Sequence, residues 1–146
     1  MAFPGAALPL RRRQRKAAIL ISPFEQDHKL LQSVFMEQGW ELHGAGSMES
    51  GLPLLRQEIA SLVITEKDLP IGTWKDVLGA VLHLSSSPPL VVTSLHADDY
   101  LWAEALNLGA YDVLAKPFEP MEAIRVCNAA WMRDRGPALG PTRKAS

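Results

Sequence analysis

Five short apolar runs constrain this chain more than anything else in it. They begin near residues 17, 41, 61, 89 and 111, at spacings of 24, 20, 28 and 22 residues. The stretches between them carry helical periodicity. Such a strand–helix alternation predicts a parallel sheet with helices on both faces, the doubly wound α/β class. Ala17–Ile21 is the first strand, Trp40 to Ala45 a weaker second, and Leu62–Thr65 the third. Leu90–Thr93 is the fourth and Tyr111 to Ala115 a short fifth.

The helix signals fit between these runs. Ser22 is placed as an N-cap, with Pro23 at the first helical position and Glu25 closing a capping box. Leu30, Leu31, Val34 and Phe35 form the core stripe of that helix, which stops at Gly39. Ser47 caps a second helix through Leu54, Leu55 and Ile59, with Pro53 inside the pattern. Thr73 and Asp76 start a third, facing the core through Val77, Leu78, Val81 and Leu82. Ala97 to Leu108 is a fourth helix with the stripe Leu101, Ala105 and Leu108, closed by Gly109. A last helix opens at Pro120 and buries Ile124, Cys127 and Trp131.

A chain of 146 residues, 47% apolar and 21% charged, suits one soluble globular domain. No run approaches the ~18 apolar residues of a membrane span. The apolar piece of the N-terminus precedes its basic cluster, the reverse of a signal peptide. The lone Cys127 allows no internal disulfide and suits a reducing cytoplasm. Residues 1–16 carry five basic side chains and no acid, whereas 17–132 hold six basic and fifteen acidic residues, a net of −9. The expected organisation is therefore a disordered basic tail over 1–16, a domain over 17–133 and a disordered tail over 134–146. An acidic body disfavours nucleic acid as a partner, except for weak contacts through the tails. His28, His43, His83 and His96 lack ligand spacing, so they predict no metal site.

In an open parallel sheet, chemistry gathers outside the carboxyl ends of the strands. Four strand exits should converge there, contributing Ser22 and Pro23, Glu66, Ser94 and Lys116. A Glu66–Lys116 pair beside the Ser94 hydroxyl makes a coherent polar group.

At this point the chain resembles a known family. From residue 17 to about 133, SLVITEKDLP, PLVVTS and GAYDVLAKPF are similar, in order and spacing, to the response-regulator receiver domains of the CheY type. That resemblance implies the flavodoxin-like strand order 2-1-3-4-5. It also implies a phosphoacceptor aspartate four residues before the loop proline, a position held here by Glu66. The family's Mg²⁺-binding acidic pair falls on Ser22 and Pro23, so the metal is expected to be lost. The switch hydroxyl falls on Ser94, the conserved lysine on Lys116, and the aromatic switch position on Val113. The Lys116-Pro117 bond is expected to be cis.

The reading is a degenerate receiver, or pseudo-receiver, of two-component phosphorelay signalling. It acts by protein–protein interaction without phosphorylation and is not an enzyme. Its partner is a histidine kinase, another regulator, an output protein or a second copy, met through a face holding Tyr100, Trp102, Tyr111 and Met132. Alternatives are a working phosphoacceptor that uses Asp68 or Glu66, and a nucleic-acid binder acting through the tails. A flavodoxin-type cofactor binder is disfavoured, because the first loop lacks a phosphate cradle.

Overall fold

A computed structural model describes residues 15–135. Among these residues, five strands and five helices alternate. In order they are β1 (Ala17–Ile21), α1 (Glu25–Met36), β2 (Glu41–Ala45), α2 (Met48–Arg56) and β3 (Leu62–Glu66). Then come α3 (Trp74–Leu82), β4 (Leu90–Ser94), α4 (Asp99–Leu108), β5 (Asp112–Ala115) and α5 (Pro120–Arg135). The sheet order is β2-β1-β3-β4-β5, with every neighbouring pair parallel. This is the doubly wound, CheY-like arrangement that the sequence implied. The basic cluster up to residue 14 and the C-terminal segment from 136, both assigned above to tails, lie outside the described residues.

The strand sequences explain the layering. β1, β3 and β4 are buried along their whole length, so their runs are apolar without alternation. Successive side chains still point to opposite faces. Ile19, Ile21, Val63 and Val92 pack against Leu55 of α2, Trp74 and Val77 of α3, and Leu101 and Ala105 of α4. Ala18, Leu20, Leu62, Ile64 and Val91 pack against Leu31 and Phe35 of α1 and Val126, Cys127 and Ala130 of α5. Burial pushes the Cys127 thiol up to about 12, with the Asp112 carboxylate adding to the shift. Among the described residues, no helix is long and apolar enough to cross a membrane.

Local signals decide the helix ends. Ser47 and Thr73 close capping boxes with Ser50 and Asp76. Asp98 caps α4 by accepting from the Leu101 N–H at 2.9 Å. Gly109 ends α4 in the left-handed region at φ 119°, where a side chain would be strained. Pro53 falls inside α2 without ending it. The α1 start differs from expectation. Phe24, not Ser22, is its N-cap and makes no side-chain cap, so Pro23 lies outside the helix and Glu25 closes no box. Leu30, Leu82 and Leu108 are exposed rather than core. Leu82 and Leu108 are the last residues of their helices, where the chain is already turning away from the sheet. Trp74, which the expected stripe of the third helix did not include, is among the largest fully buried side chains of the core.

Candidate functional site

Parallel pairing brings the carboxyl ends of β1, β3, β4 and β5 to one edge. Register then decides which side chains meet. Glu66, the last residue of β3, pairs with Thr93 of β4. Register partners in a parallel pair share a face, so both point to the side covered by α1 and α5. Lys116 follows β5, and its backbone N–H donates to the Ser94 carbonyl at 2.9 Å. The Lys116-Pro117 bond is cis.

The Lys116 ammonium sits between two carboxylates. It donates to Glu66 Oε1 at 2.9 Å and to Asp27 Oδ2 at 2.9 Å. The three side chains are only 8%, 9% and 10% exposed, for Lys116, Glu66 and Asp27 respectively. Thr93 Oγ1 donates to Glu66 Oε1 at 2.9 Å, and Ser22 Oγ donates to Asp27 Oδ2 at 2.8 Å. Ser22 Oγ also accepts from the Phe24 N–H at 3.1 Å. The Phe24 ring lies 4.4 Å from the ammonium, within cation–π range. Burial would push the Lys116 ammonium down, but its bonds to Glu66 and Asp27 outweigh that and hold it above the usual lysine value.

Each ammonium–carboxylate contact carries a gross attraction of about 5 kcal/mol at an effective dielectric of ~20. Desolvation of the three groups consumes most of that attraction. What the network contributes is definition. Both carboxylates meet the one ammonium, so removing Lys116 would leave both without their counter-charge.

The structure brings Glu66, Lys116 and Ser22 together and leaves other expected members out. The hydroxyl on Glu66 belongs to Thr93, one residue before the expected Ser94. Ser94 points to the opposite face, and its Oγ accepts from the His96 N–H at 3.0 Å. Pro23 is exposed, and Val113 packs partly buried against the core with α3 and α4. Asp68 is exposed and pairs with Lys67 at 3.1 Å. Asp27 was missed, although Asp27, Leu31 and Phe35 follow one another at helical i, i+4 spacing on one buried stripe. On the expected partner face, Tyr100, Trp102 and Met132 are exposed at 78%, 45% and 58%. Tyr111 is not. It lies buried in the core beneath the Arg133 guanidinium, 5.4 Å from its ring.

Mg²⁺ takes near-octahedral oxygen ligands. This centre does not fit it. Pro23 offers no side-chain oxygen, Ser22 is engaged with Asp27 and Phe24, and the space between the carboxylates is filled by Lys116. Among the described residues, no group of three or more His, Cys, Asp or Glu could hold a metal ion.

The switch of hydroxyl has a measurable consequence. Thr93→Val deletes a donor to a buried carboxylate and is expected to cost about 1.5–3 kcal/mol. Ser94→Ala loses only an acceptor at the mouth of the next loop and should cost about 1 kcal/mol or less. Urea melts of the two variants check the order. Equal losses would mean that Thr93 does not hold Glu66.

No family model matches the sequence. The response regulator protein FleR of Pseudomonas aeruginosa is 34% identical over 90 residues, covering 61% of this chain and 19% of that protein. Nodulation protein W of Bradyrhizobium diazoefficiens is 28% identical over 105 residues, covering 72% of this chain and 46% of that protein. The chain thus spans from about a fifth to under half the length of these curated relatives. The chemotaxis response regulator CheY4 of Vibrio cholerae shares the fold at a TM-score of 0.73 and 16% identity, over 80% of this chain and 98% of that one. The receiver domain of the Francisella response regulator 1452 does so at a TM-score of 0.75 and 18% identity, over 83% and 100%.

Proposed function

We propose that this chain, a receiver domain in fold and a relative of the response regulators in sequence, is a protein-interaction module of two-component signal transduction that runs no phosphoryl cycle. One observation carries the reading. The lysine that would neutralise a transferring phosphoryl group is already held by two buried carboxylates, Glu66 and Asp27. Phosphoryl transfer depends on metal, positioning and free positive charge. A centre with Glu66 at the acceptor position and no fit for Mg²⁺ supplies none of these. The rival phosphoacceptor Asp68 fares no better, being exposed and paired with Lys67 at 3.1 Å.

The partner is a histidine kinase, another regulator, an output protein or a second copy. The surface that suits it is built by α4 and α5 on either side of the β5 edge, with Trp102, Tyr100 and Met132. Exposed aromatic side chains on a body of net charge −9 favour contact over mere solubility. A fixed ionic centre would hold this surface in one form.

Intact-mass measurement after incubation with acetyl phosphate and Mg²⁺ tests the reading. No adduct is expected, and a stable phosphoryl group on an acidic residue would overturn it. Sedimentation and partner capture with Trp102→Ala test the surface. Loss of stability with binding and assembly intact would mean that Trp102 serves packing and not contact.

A further inference from the structure

We propose that the outer edge of β2 pairs antiparallel with the β2 of a second copy, about a two-fold axis at His43, joining two five-stranded sheets into one.

Backbone parity carries the first part of the argument. β2 ends the sheet, and among the described residues no strand lies beyond it. Its register with β1 is unbroken, from Ala17↔Glu41 to Ile21↔Ala45. The Glu41 N–H donates to the Lys16 carbonyl at 2.7 Å, and the Ala45 carbonyl accepts from the Ser22 N–H at 2.9 Å. In a parallel ladder each residue turns its N–H and its C=O to the same side, and successive residues alternate. Glu41, His43 and Ala45 therefore spend both groups on β1. Leu42 and Gly44 turn two donors and two acceptors outward. Free edges are commonly guarded by a proline, a bulge or an unpaired charge. β2 has no proline and no bulge. Its one carboxylate, on Glu41, is already engaged by Arg15 at 3.0 Å and His43 at 3.4 Å.

The side chains decide what fits this edge. On the α1 face, Leu42 is half-buried against the core and Gly44 carries no side chain. A Cβ at Gly44 would stand 2.6 Å from Nδ1 of the His28 ring. That ring is fixed by its Nε2–H, which donates to the Ser22 carbonyl at 2.8 Å. The result is a groove of about 320 Å³ along the strand, lined by His28, Lys29 and Gln32 of α1 and by Leu42 and Gly44. Antiparallel pairing about His43 sets Leu42 of each copy opposite Gly44 of the other. Every outward donor then meets an outward acceptor, and each Leu42 side chain enters the other copy's groove. On the opposite face Glu41 stands across from Ala45, so no carboxylate meets a like charge. The two His43 rings meet at the axis, each beside its own Glu41. A strand that complements itself in this way suits a two-fold interface with a second copy rather than a foreign segment.

A five-residue edge buries little area, so the dimer belongs to the weak, concentration-dependent class. It leaves β5, at the other end of the sheet, uncovered. Two Trp102 surfaces then stand at opposite ends of one continuous sheet, and a repeated partner is held by both. That consequence rests on the functional reading above; the pairing itself does not.

The test follows amide hydrogen exchange by NMR in the wild-type chain at increasing concentration. The His43 and Ala45 amides are expected to be protected throughout. Those of Leu42 and Gly44 should exchange fast in dilute solution. They should slow about tenfold once about nine-tenths of the chain is dimeric, since exchange then runs through the remaining monomer. Cross-linking checks the axis. Antiparallel residues that share no hydrogen bonds lie ~4.5 Å apart at Cα, within disulfide reach. His43→Cys should therefore give a disulfide-linked dimer under mild oxidation, the native Cys127 being buried. Glu41→Cys should not, its two copies lying about 13 Å apart along the strands. Leu42→Lys puts a charge into the groove without touching the ladder to β1, and should sediment as a monomer. Trp102→Ala should still dimerise, which separates failure here from failure of the contact surface. Leu42 and Gly44 amides whose exchange is independent of concentration up to about 1 mM would overturn the proposal. If they are protected at every dilution in a monomer, the edge is covered by a segment of the same chain. Equal cross-linking of the two cysteine variants, or a dimer that survives Leu42→Lys, would overturn it as well.

Discussion

Replacing Lys116 by Met lowers the stability of the domain by about 3–5 kcal/mol, the range for breaking a buried ion pair by removing one partner. Methionine nearly matches the lysine stem in length, so little of the loss comes from packing. The loss comes from leaving Glu66 and Asp27 buried, close together and without the charge they share. Glu66→Gln costs less, because a neutral amide still accepts from Thr93 and Lys116. The double variant Lys116→Met/Glu66→Gln should be more stable than Lys116→Met alone, since it removes one of the two like charges left unpaired. Strict additivity in urea melts would mean that the contact has no energetic content.

The pH dependence follows from the direction of the Lys116 shift. The folded-state value lies above the unfolded one. The stability this provides is fully present below the unfolded lysine value of ~10.4 and is lost as pH rises through the folded value. The gap between wild type and Lys116→Met should therefore be constant around neutrality and narrow only above about pH 10.5. A gap that closed between pH 7 and 9 would assign the effect to another group.

Trp74→Ala is the second large effect, a loss of about 3–5 kcal/mol. Trp74 is 2% exposed and packs with Val77 and Leu78 against the face of the sheet that carries Ile19, Ile21 and Val63. Its backbone N–H also donates to the Lys67 carbonyl at 2.9 Å, tying the start of α3 to the loop after β3. That bond survives the substitution, so the loss reports the ring alone. Leu82→Ala, at the other end of the same helix, should change stability by about 0.5 kcal/mol or less. Urea midpoints at unchanged m-value give the comparison. Similar losses at the two positions would mean that α3 lies on the sheet differently.

These contrasts mark where the sequence was legible. Strand number and direction could be read because the apolar runs and their spacing admit few topologies, whereas the strand order came from the family resemblance. Glu66 and Lys116 could be placed together because they end β3 and follow β5 in a parallel sheet. Two kinds of information were harder to reach. One is parity. Thr93 and Ser94 are both small and hydroxylated, and only the pairing of Glu66 with Thr93 tells which faces the site. The other is the second bond of a polar group. Ser22 reads as a helix cap, but the helix starts after Phe24 and the Ser22 hydroxyl donates to Asp27, five residues on. Tyr111 is a further case of a neighbour deciding, a residue beside an edge strand that the end of α5 reaches far enough to cover. Each depends on which neighbour arrives, and single-residue preferences do not encode that.

The tie between Lys116 and Asp27 joins residues 89 positions apart in the chain. Closing so long a loop is slow, and two charges give up their water only when their partner is already in place. The ionic centre is therefore a late acquisition on the folding path, made after β1, β3 and β4 have assembled and β5 has docked. A late contact acts as a latch: it scarcely affects how fast the chain folds but governs how long it stays folded. Most of the stability lost in Lys116→Met should accordingly appear as faster unfolding, with the refolding limb of the chevron nearly unmoved. On this view the charges beneath Phe24 set the lifetime of the surface proposed above for protein contact.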